Sequence, residues 1–591
     1  MKINNSFYIT VFSVIAVPPA YAQPVTATAS TPTAASIYAQ QRIDLLSGFE
    51  ATTGGFEAKI KLPETDGGKW SHSLPWTSYI RPIANGGNGI DEGMVGIHTH
   101  VTPDGKVLTW EGHNSDTAED PAKHTSHAYT WNPNPAGQYG SLVYPKVYLH
   151  FDNFNSNIFC SGHSFLADGR LLVAGGHYSN GNVANAQTQA ATFPSDVLTN
   201  NRGNGYVGLR EVNIFNYKGN LNSNQTGYVW QTSANIVGQP VPTLPAMNYR
   251  RWYPTNTTLS DGKVVVTSGQ EWADAAGNSV QGPPEVYNPI TNSWQVLNGA
   301  ARQLPLYPWM FLAPDGRVFN AGPNPDAKFL NPTAAAIGTT AAGTWDGTTY
   351  NTRSGLVREY GTAVMYAPGK VLILGGAASS GITNTTELID LNTPGTAAFR
   401  TAAPMLFPRT HVNATILPDG SVLATGGSKA PTSSDDAAVL HAELWRPPGK
   451  YTPGGTWTLL NEMSVPRLYH ATAVLLPDAT VLTAGGGEGA GYTSHPDYQI
   501  FTPPYLCKGL VRPEISSAPK AVAYGQTFTI TGPQTSSFLP AGRVTLVRLS
   551  SVTHAFNMNQ RFLELTPTAG PTANQLTLTA PGNRNVCPPG H

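Results

Sequence analysis

The chain of 591 residues is longer than one simple core supports, since domains average roughly 150 residues, so several domains or one large repeat array are expected. Its 60 glycines, 49 prolines and charged fraction of 12% argue against a helical bundle. With 35 basic and 36 acidic side chains, the net charge of −1 gives no reason to expect nucleic acid or an anionic membrane as a partner. Short runs of Val, Ile and Leu bounded by turn residues instead indicate β-strands.

The first 22 residues have the features of a signal peptide. Lys2 precedes a mostly apolar stretch over residues 7–17, and Ala-Tyr-Ala at 20–22 forms an A-x-A cleavage site. A buried N-terminal strand is the alternative, but the order of these features favours export, so we expect a secreted or periplasmic protein. Residues 23–66 are predicted to be a leader and linker. No other apolar run approaches the ~18 residues of a transmembrane helix.

A turn motif recurs seven times along the chain. Asp-Gly supplies the positive-φ turn of a β-hairpin, and third and fourth strands follow most copies, as in EVYNP and SWQVL. Four strands per unit at this spacing predict a seven-bladed kelch-type β-propeller over residues 67–504. The copies are PDGKVLTWEG (103–112), ADGRLLVAGG (167–176), SDGKVVVTSG (260–269), PDGRVFNAG (314–322), PGKVLILGG (368–376), PDGSVLATGG (418–427) and PDATVLTAGG (477–486).

Two further segments complete the predicted all-β architecture. The seventh copy lacks a fourth strand, and KWSHSL (residues 69–74) is a spare strand of that type before the first copy, so we expect it to close the ring in blade seven. After residue 504, alternating segments such as TFTITG and RVTLVRLSS predict a C-terminal immunoglobulin-like (early-set) β-sandwich of about seven strands over residues 505–591.

The three cysteines leave at least one without a disulfide partner. Cys507 and Cys587 both lie near the C-terminus and could pair with each other. Cys160 lies far upstream and needs a separate explanation.

The residues that carry chemistry stand just before the hairpin turns, where the innermost strands approach the propeller axis. Cys160, Tyr253 and His470 each lie eight residues before the Asp of their turn, and Tyr469 lies nine before it. A propeller would bring these positions together, and His554 of the C-terminal domain could join them. Imidazole nitrogen and phenolate oxygen suit Cu(II), although adjacent Tyr and His could bind one metal only if the strand bends there. Taken singly, each residue is more often a packing residue.

The motifs FCSGHS, RWYPT, RLYHATAVLLPD and VTHAFNMNQR resemble the galactose oxidase/glyoxal oxidase family of copper-radical oxidases, over the propeller and the C-terminal domain. RWYPT is closer to the glyoxal oxidase branch. The resemblance implies that Tyr253 is an equatorial copper ligand joined to Cys160 by a thioether bond, and that this cross-linked phenol holds a radical. It implies that Tyr469 is the axial ligand and proton acceptor, and that His470 and His554 are the other equatorial ligands.

The resemblance also implies a reaction. A primary alcohol or hydrated aldehyde would give up two electrons to become the aldehyde or acid. Copper would accept one electron and the tyrosyl radical the other, and O2 would then reoxidise the site and leave as H2O2. Substrate oxygen would bind copper, Tyr469 would take its proton, and the Tyr253 radical would take hydrogen from carbon. We therefore expect a small alcohol or aldehyde and O2 as partners of a monomeric enzyme.

One place departs from the family pattern. Galactose oxidase stacks a tryptophan on its radical tyrosine, and counting from Tyr253 that place falls on Glu271, with Trp272 one residue later. A one-residue insertion would restore the stack with Trp272, which is the predicted stacking residue. Without that insertion a different residue stacks on Tyr253, and the stability or potential of the radical would change.

The competing hypothesis is a non-catalytic kelch propeller that binds carbohydrate or protein, which would not need these five cysteine, tyrosine and histidine residues together. His98 and His100 share one strand face and could bind a metal, but stacking in the blade or facing solvent is the expected role. No paired carboxylates, G-x-S-x-G elbow or dinucleotide fingerprint stands in a convincing context.

Overall fold

A computed structural model gives the fold. It describes residues 11–14, 62–75, 95–111, 128–131, 133, 158–178, 207–218, 229–233, 244–274, 278–335, 342–351, 355–432, 434–487, 491–509, 513–533 and 543–590. Helix in these residues is confined to Glu64–Gly67 and the 3-10 turns Asn298–Ala300, Pro394–Thr396, Asp435–Ala437 and Pro504–Leu506. Within the described ranges, no helix has the length and apolar character needed to cross a membrane.

Seven antiparallel sheets form the blades of the predicted propeller, and the first strand of each blade, the inner strand, packs beside the inner strands of its neighbours. Blade 1 contains His98–Val101, Val107–Trp110 and Ala128–Trp131; blade 2, Gly162–Phe165, Leu171–Ala174, Val212–Asn216 and Val229–Thr232; blade 3, Thr255–Thr258, Val264–Thr267, Glu285–Asn288 and Ser293–Val296; blade 4, Met310–Leu312, Val318–Asn320, Asp326–Ala335, Ala342–Trp345 and Tyr350–Asn351. Blade 5 contains Thr362–Ala367, Lys370–Leu374, Thr386–Asp390 and Arg400–Thr401; blade 6, Asn413–Ile416, Val422–Thr425, His441–Arg446 and Thr456–Glu462; blade 7, Thr472–Leu475, Val481–Ala484 and Asp497–Thr502.

Among the described residues, three two-stranded antiparallel sheets accompany the blades. They are His177–Tyr178 with Val207–Gly208, Trp272–Ala273 with Ser279–Val280, and Ala377–Ala378 with Gly381–Ile382.

The N-terminal strand closes the ring, as the sequence predicts. Lys69–Trp70 pairs antiparallel with Phe501 and Thr502 at the outer edge of blade 7, and Leu74–Pro75 continues along the same strand. The Trp70 ring packs against Phe501 with centroids 4.8 Å apart, and its indole N–H donates to the Asn461 carbonyl over 2.8 Å. First and last parts of the propeller are therefore joined through both backbone and side chains.

The C-terminal domain is a two-sheet sandwich, as predicted. Phe528, Ile530, Leu576 and Leu578 alternate towards its core, where Val544 and Cys587 also pack. One sheet contains Thr527–Thr531, Gln575–Thr579 and Thr568–Ala569, and the other contains Arg543–Val547, Phe562–Leu565 and Val11–Val14.

Strand Val11–Val14 falls inside the predicted signal peptide. It pairs antiparallel with residues 543–546 at the sheet edge, which is the strand alternative considered for this stretch. The cleavage site at 20–22 lies outside the described residues, and the signal peptide stays a prediction. In these two sheets the structure describes five strands from the C-terminal domain itself, which is fewer than the seven or so expected. Val11–Val14 occupies one further strand position.

A stretch of the C-terminal domain, residues 545–561, enters the propeller axis; we refer to it as the axial segment. Its strand Ser551–Thr553 pairs with His98–Val101 and supplies the innermost strand of the blade 1 sheet. Farther along, Gln560 bonds both the N–H and the carbonyl of Ile416, and Asn557 donates to the Ala414 carbonyl. His554 of the C-terminal domain can therefore reach the axis, because the polar groups of the inner strands hold this segment inside the ring.

All three cysteines lie in the described part of the chain, and none is in a disulfide. Cys587 packs in the sandwich core, whereas Cys507 follows the 3-10 turn Pro504–Leu506 and its thiol approaches the Thr502 carbonyl. The suggested pairing of Cys507 with Cys587 is thus not formed, because the two side chains pack in different surroundings.

Candidate metal centre

The inner strands of blades 2 to 7 are each preceded by a residue with left-handed backbone. Non-glycine residues with positive φ are uncommon, because Cβ then crowds the backbone, and they persist where the surroundings enforce them. This conformation breaks the alternation of an extended strand just before the strand begins. The six residues are Cys160 (φ 58°), Tyr253 (62°), Tyr307 (47°), Tyr360 (50°), His411 (58°) and His470 (68°).

A buried arginine fixes this turn in blade 3. The Arg251 guanidinium donates to the Ser268 carbonyl at the end of the second strand (2.6 Å) and to the Glu285 carboxylate at the start of the third (2.9 Å). The charged pair is fully buried, so its contribution to stability comes from these directed hydrogen bonds. The same arrangement recurs in three more blades, with Arg358 and Glu387, Arg409 and Glu443, and Arg467 and Asp497.

Blades 2 and 3 are in close contact where Cys160 and Tyr253 meet. A Cβ at Gly162 would lie 2.6 Å from Asn256 Oδ1 and 2.7 Å from the Pro254 carbonyl oxygen, so only glycine fits there. The Tyr253 amide donates to the Cys160 carbonyl over 2.9 Å. The FCSGHS and RWYPT motifs are therefore in direct contact.

Five side chains converge at this point of the axis. The hydroxyl oxygens of Tyr253 and Tyr469 lie 2.6 Å apart, and His554 Nε2 lies 3.0 Å from the Tyr253 oxygen. Cys160 Sγ lies 3.8 Å from the same His554 nitrogen. Ligand atoms of Cys160, His470 and His554 all lie within 4.8 Å of one another, and all three residues are buried. The structure thus brings together Cys160, Tyr253, Tyr469, His470 and His554.

Both histidines present the same nitrogen to this point. His470 Nδ1 lies 2.7 Å from the Gly487 carbonyl, which can only accept, so Nδ1 carries the proton. His554 Nδ1 lies 2.6 Å from the Thr553 hydroxyl, which itself donates to the Ile97 carbonyl. Nε2 is left unprotonated in each ring, which is the tautomer that binds a metal.

The bend expected between Tyr469 and His470 is present. His470 adopts φ 68°, and the two rings stack with centroids 3.8 Å apart and planes 26° apart. Adjacent residues therefore face the same point, which an extended strand would not allow.

Burial sets the protonation of the site. It lowers the pKa of His470 to about 3 and that of His554 well below its usual value, with neighbouring histidines lowering His554 further. Burial also raises the pKa of Tyr253 and Tyr469 well above the usual phenol value, with Cys160 as a further cause for both. Neutral imidazoles are ready to bind a cation, whereas the phenols need a nearby positive charge before they ionise.

The donor set fits copper. Two imidazole nitrogens and two phenol oxygens are what Cu(II) prefers, and His470 Nε2 has no hydrogen-bond partner among the described residues although it is buried. A buried polar atom without a partner is costly, and a bound ion would satisfy it. Tyr253, Tyr469, His470 and His554 are the residues that would hold the metal.

Comparisons with known proteins agree with this geometry. A family profile described as "Glyoxal oxidase N-terminus" matches residues 241–505, and one described as "Galactose oxidase-like, Early set domain" matches residues 512–591. The chain belongs to the galactose oxidase/glyoxal oxidase family. The matched regions contain Tyr253, Tyr469, His470 and His554, whereas Cys160 lies before them.

Relatives in this family cover most of the chain at low identity. "Galactose oxidase" of Gibberella zeae is 26% identical over 92% of this chain and 74% of its own length. "Aldehyde oxidase GLOX" of Vitis pseudoreticulata is 29% identical over 58% of this chain and 68% of its own length. A solved structure titled as a novel fungal alcohol oxidase of the AA5 family in complex with copper has a TM-score of 0.64 at 23% identity, covering 89% of this chain and 95% of that one, which supports the fold.

A tryptophan that the sequence analysis did not single out, Trp252, contacts the ring of Tyr253. Trp252 packs against Tyr253 with centroids 4.1 Å apart and planes 74° apart, an edge contact rather than a stack. Trp272 lies in the hairpin with Ser279–Val280, paired to Val280. The stacking role of Trp272 therefore remains a prediction.

Our sequence analysis missed three axial residues, Tyr307, Tyr360 and His411. Tyr307 packs edge-on against Tyr253 at 4.6 Å and donates its hydroxyl to the Ser161 carbonyl over 2.9 Å. Tyr360 lies between Tyr469 and His411, with ring centroids 5.4 and 4.5 Å away. All three stand eight residues before their hairpin turn, so the spacing that indicated Cys160 and Tyr253 also marks them.

Proposed function

We propose that this protein is a copper-radical oxidase that converts a primary alcohol or hydrated aldehyde to the aldehyde or acid and reduces O2 to H2O2. The observation that carries the proposal is the convergence of two unprotonated imidazole nitrogens and two phenol oxygens on one buried point beside a cysteine. A binding module has no use for this arrangement. The relatives named as galactose and aldehyde oxidases support the same reaction class.

Cys160 and Tyr253 form a thioether bond in this proposal. The S–H bond of Cys160 and one ring C–H bond of Tyr253 break, a C–S bond forms, and two electrons and two protons pass to O2 to give H2O2. Support comes from the fully buried Cys160 side chain, the amide of Tyr253 on its carbonyl, and their shared apolar cluster. Without the cross-link, a Cys-His-His group would also suit softer ions such as Cu(I) or Zn²⁺.

Each residue of the site then has a role. Copper would supply a Lewis acid and a one-electron acceptor. His470 and His554 hold it through Nε2, and Tyr469 accepts the proton of the substrate hydroxyl. The oxidised, cross-linked Tyr253 takes the hydrogen atom from the substrate carbon. Tyr253, His470 and His554 are buried and Tyr469 is half-buried, which limits the access of water that would compete for these steps.

The proposal extends to parts of the chain beyond the metal centre. We place Trp272 as the partner ring of Tyr253, and residues 67–504 and 505–591 as the propeller and sandwich domains. Export through the N-terminal 22 residues would put the enzyme where O2 and small alcohols or aldehydes are available. The enzyme acts as a monomer in this proposal, since one chain supplies every proposed ligand.

The test is to load the protein with copper under O2 and measure peroxide against a panel of primary alcohols and aldehydes. The intact mass of the loaded protein should be lower by two hydrogen atoms, and Cys160→Ala should lose both this difference and the peroxide. Cys587→Ala is the matched control, because it removes another buried thiol in the sandwich core and should keep both signals. A fully copper-loaded protein that makes no peroxide with any substrate would contradict the proposal.

A further inference from the structure

Three histidines form a second buried cluster next to the metal centre. His98 and His100 on the inner strand of blade 1 both stack on Trp110, with centroids 4.8 and 4.5 Å away, and His163 lies 5.3 and 4.3 Å from their rings. All are buried, so the solvent-facing role considered for His98 and His100 is excluded, while the stacking role is confirmed. Neither belongs to the group of closely spaced ligand atoms found among the described residues.

His98 differs from its neighbours because it contacts the cysteine of the proposed cross-link. The backbone N–H of Cys160 donates to His98 Nε2 over 3.1 Å, so this ring is neutral with its proton on Nδ1. The His98 ring also lies 5.9 Å from that of His554 and 6.5 Å from that of Phe159. His100 instead bonds the Ser551 hydroxyl through Nδ1, over 2.8 Å.

This hydrogen bond acts on a residue with an uncommon backbone. Cys160 holds φ at 58°, where a side chain crowds its own backbone, so both of its peptide groups must be held by the surroundings. Tyr253 holds the carbonyl side through its amide, and His98 holds the N–H side. Without His98 the buried N–H would lack an acceptor, and a buried amide without one is unfavourable.

We infer that His98 is a positioning residue for cross-link formation, which fixes the Cys160 peptide so that the thiol faces the Tyr253 ring. The inference rests on the proposed thioether. Bond formation between two side chains depends on the fraction of time in which the reacting atoms are in contact. His98 raises that fraction without touching the reacting sulfur or ring carbon.

The experiment follows the loss of two hydrogen atoms by mass spectrometry after copper and O2 are added to metal-free protein. His98→Phe keeps an aromatic ring on Trp110 but cannot accept a hydrogen bond, and it should slow the loss at least about fivefold. His98→Gln places an amide oxygen near the former Nε2 and should react within about twofold of the wild-type rate. His98→Leu is a second variant without an acceptor, in case the phenylalanine does not fit.

His100→Phe is the matched control. It changes the same strand, the same Trp110 stack and one side-chain hydrogen bond, but leaves the Cys160 amide paired, so it should cross-link at the wild-type rate. Equal rates for His98→Phe, His98→Leu and His100→Phe, or no rescue by His98→Gln, would overturn the inference. If the wild-type protein itself loses no hydrogen, the proposed oxidase fails first, so the two failures are distinguishable.

Discussion

The left-handed residue before each inner strand decides which side chains reach the propeller axis. In five of the six blades that have one, it is a tyrosine or histidine, and in blade 2 it is Cys160. Extended backbone at these positions would send adjacent side chains to opposite faces, and Tyr469 could not share a site with His470. The left-handed conformation therefore allows adjacent side chains to face the same site.

Buried neutral histidines should make the metal-free protein sensitive to acid. Burial lowers the pKa of His163 and His411 from 6.5 to about 3, so between these values the unfolded chain binds protons that the folded chain does not. Stability is therefore complete above pH 6.5 and falls as the pH drops towards 3. Each residue contributes up to ~1.4 kcal/mol per pH unit in that window.

The check is urea unfolding of the metal-free protein from pH 7 to pH 4. His411→Gln should flatten the fall in unfolding free energy, whereas the exposed His72→Gln should leave it unchanged. An identical slope in both variants would show that His411 carries no such coupling.

The sequence was sufficient to predict that Cys160, Tyr253 and His470 lie near one point of the axis, because repeat register and residue type agreed at these positions. It was insufficient for Tyr307, Tyr360 and His411, since a lone tyrosine or histidine in a propeller more often packs between blades. Only the shared spacing before the hairpin turn distinguishes them. Trp252 was missed for another reason, because a ring contact between neighbouring residues depends on the local turn at Tyr253.

At the scale of the blade, the repeated arginine is the main polar element. Arg409 is buried and donates both to the Gly426 carbonyl and to Glu443, so it ties the three inner strands of blade 6 together. Burial lowers its pKa, and the adjacent Glu443 opposes that shift. Removing the arginine alone would leave a buried carboxylate without its cation.

Arg409→Met should therefore lower the free energy of unfolding by about 3–5 kcal/mol, measured by urea denaturation. Adding Glu443→Gln should restore part of this loss, because the uncompensated charge is removed. Lys370→Met is the matched control, since its partner Asp390 lies 3.8 Å away at the surface, and it should change stability by less than about 1 kcal/mol. A small effect of Arg409→Met would mean that water or a shifted partner reaches Glu443.

Elements were predictable where turn chemistry is strong. Asp-Gly fixed the hairpins, and the missing fourth strand of the seventh copy pointed to Lys69–Trp70. Ser551–Thr553 was not recognised as a propeller strand, because three residues carry too little pattern to show which sheet they join. The arginine network was missed because its partners lie 29 to 34 residues apart in the sequence.

For the whole molecule, the axial segment makes the propeller and the sandwich depend on each other. Beyond its strand in blade 1, it contacts blade 2 through Asn559, blade 3 through Arg548, blade 5 through Ala555 and blade 6 through Gln560. Separating the domains would expose these buried polar groups within the ring. The two domains are therefore coupled by more than a surface contact.

We accordingly expect calorimetry and urea titration to show a single unfolding transition for the metal-free protein. Intrinsic fluorescence is dominated by the propeller tryptophans, and the reactivity of the buried Cys587 thiol reports on the sandwich. The two signals should change at the same denaturant concentration. Gln560→Leu, which loses both bonds to Ile416, should lower that midpoint without splitting the transition. Two resolved transitions in the wild type would contradict this coupling.

The axial segment also fixes the order in which the enzyme is synthesised and folded. Ring closure waits until residues 497–502 can meet Lys69–Trp70, and His554 follows later still in the chain. A chain that ends before His554 lacks one of the four residues proposed to hold the metal. Under the proposed mechanism, peroxide formation therefore cannot begin on an unfinished chain. An active metal centre forms only after synthesis and folding are complete through His554.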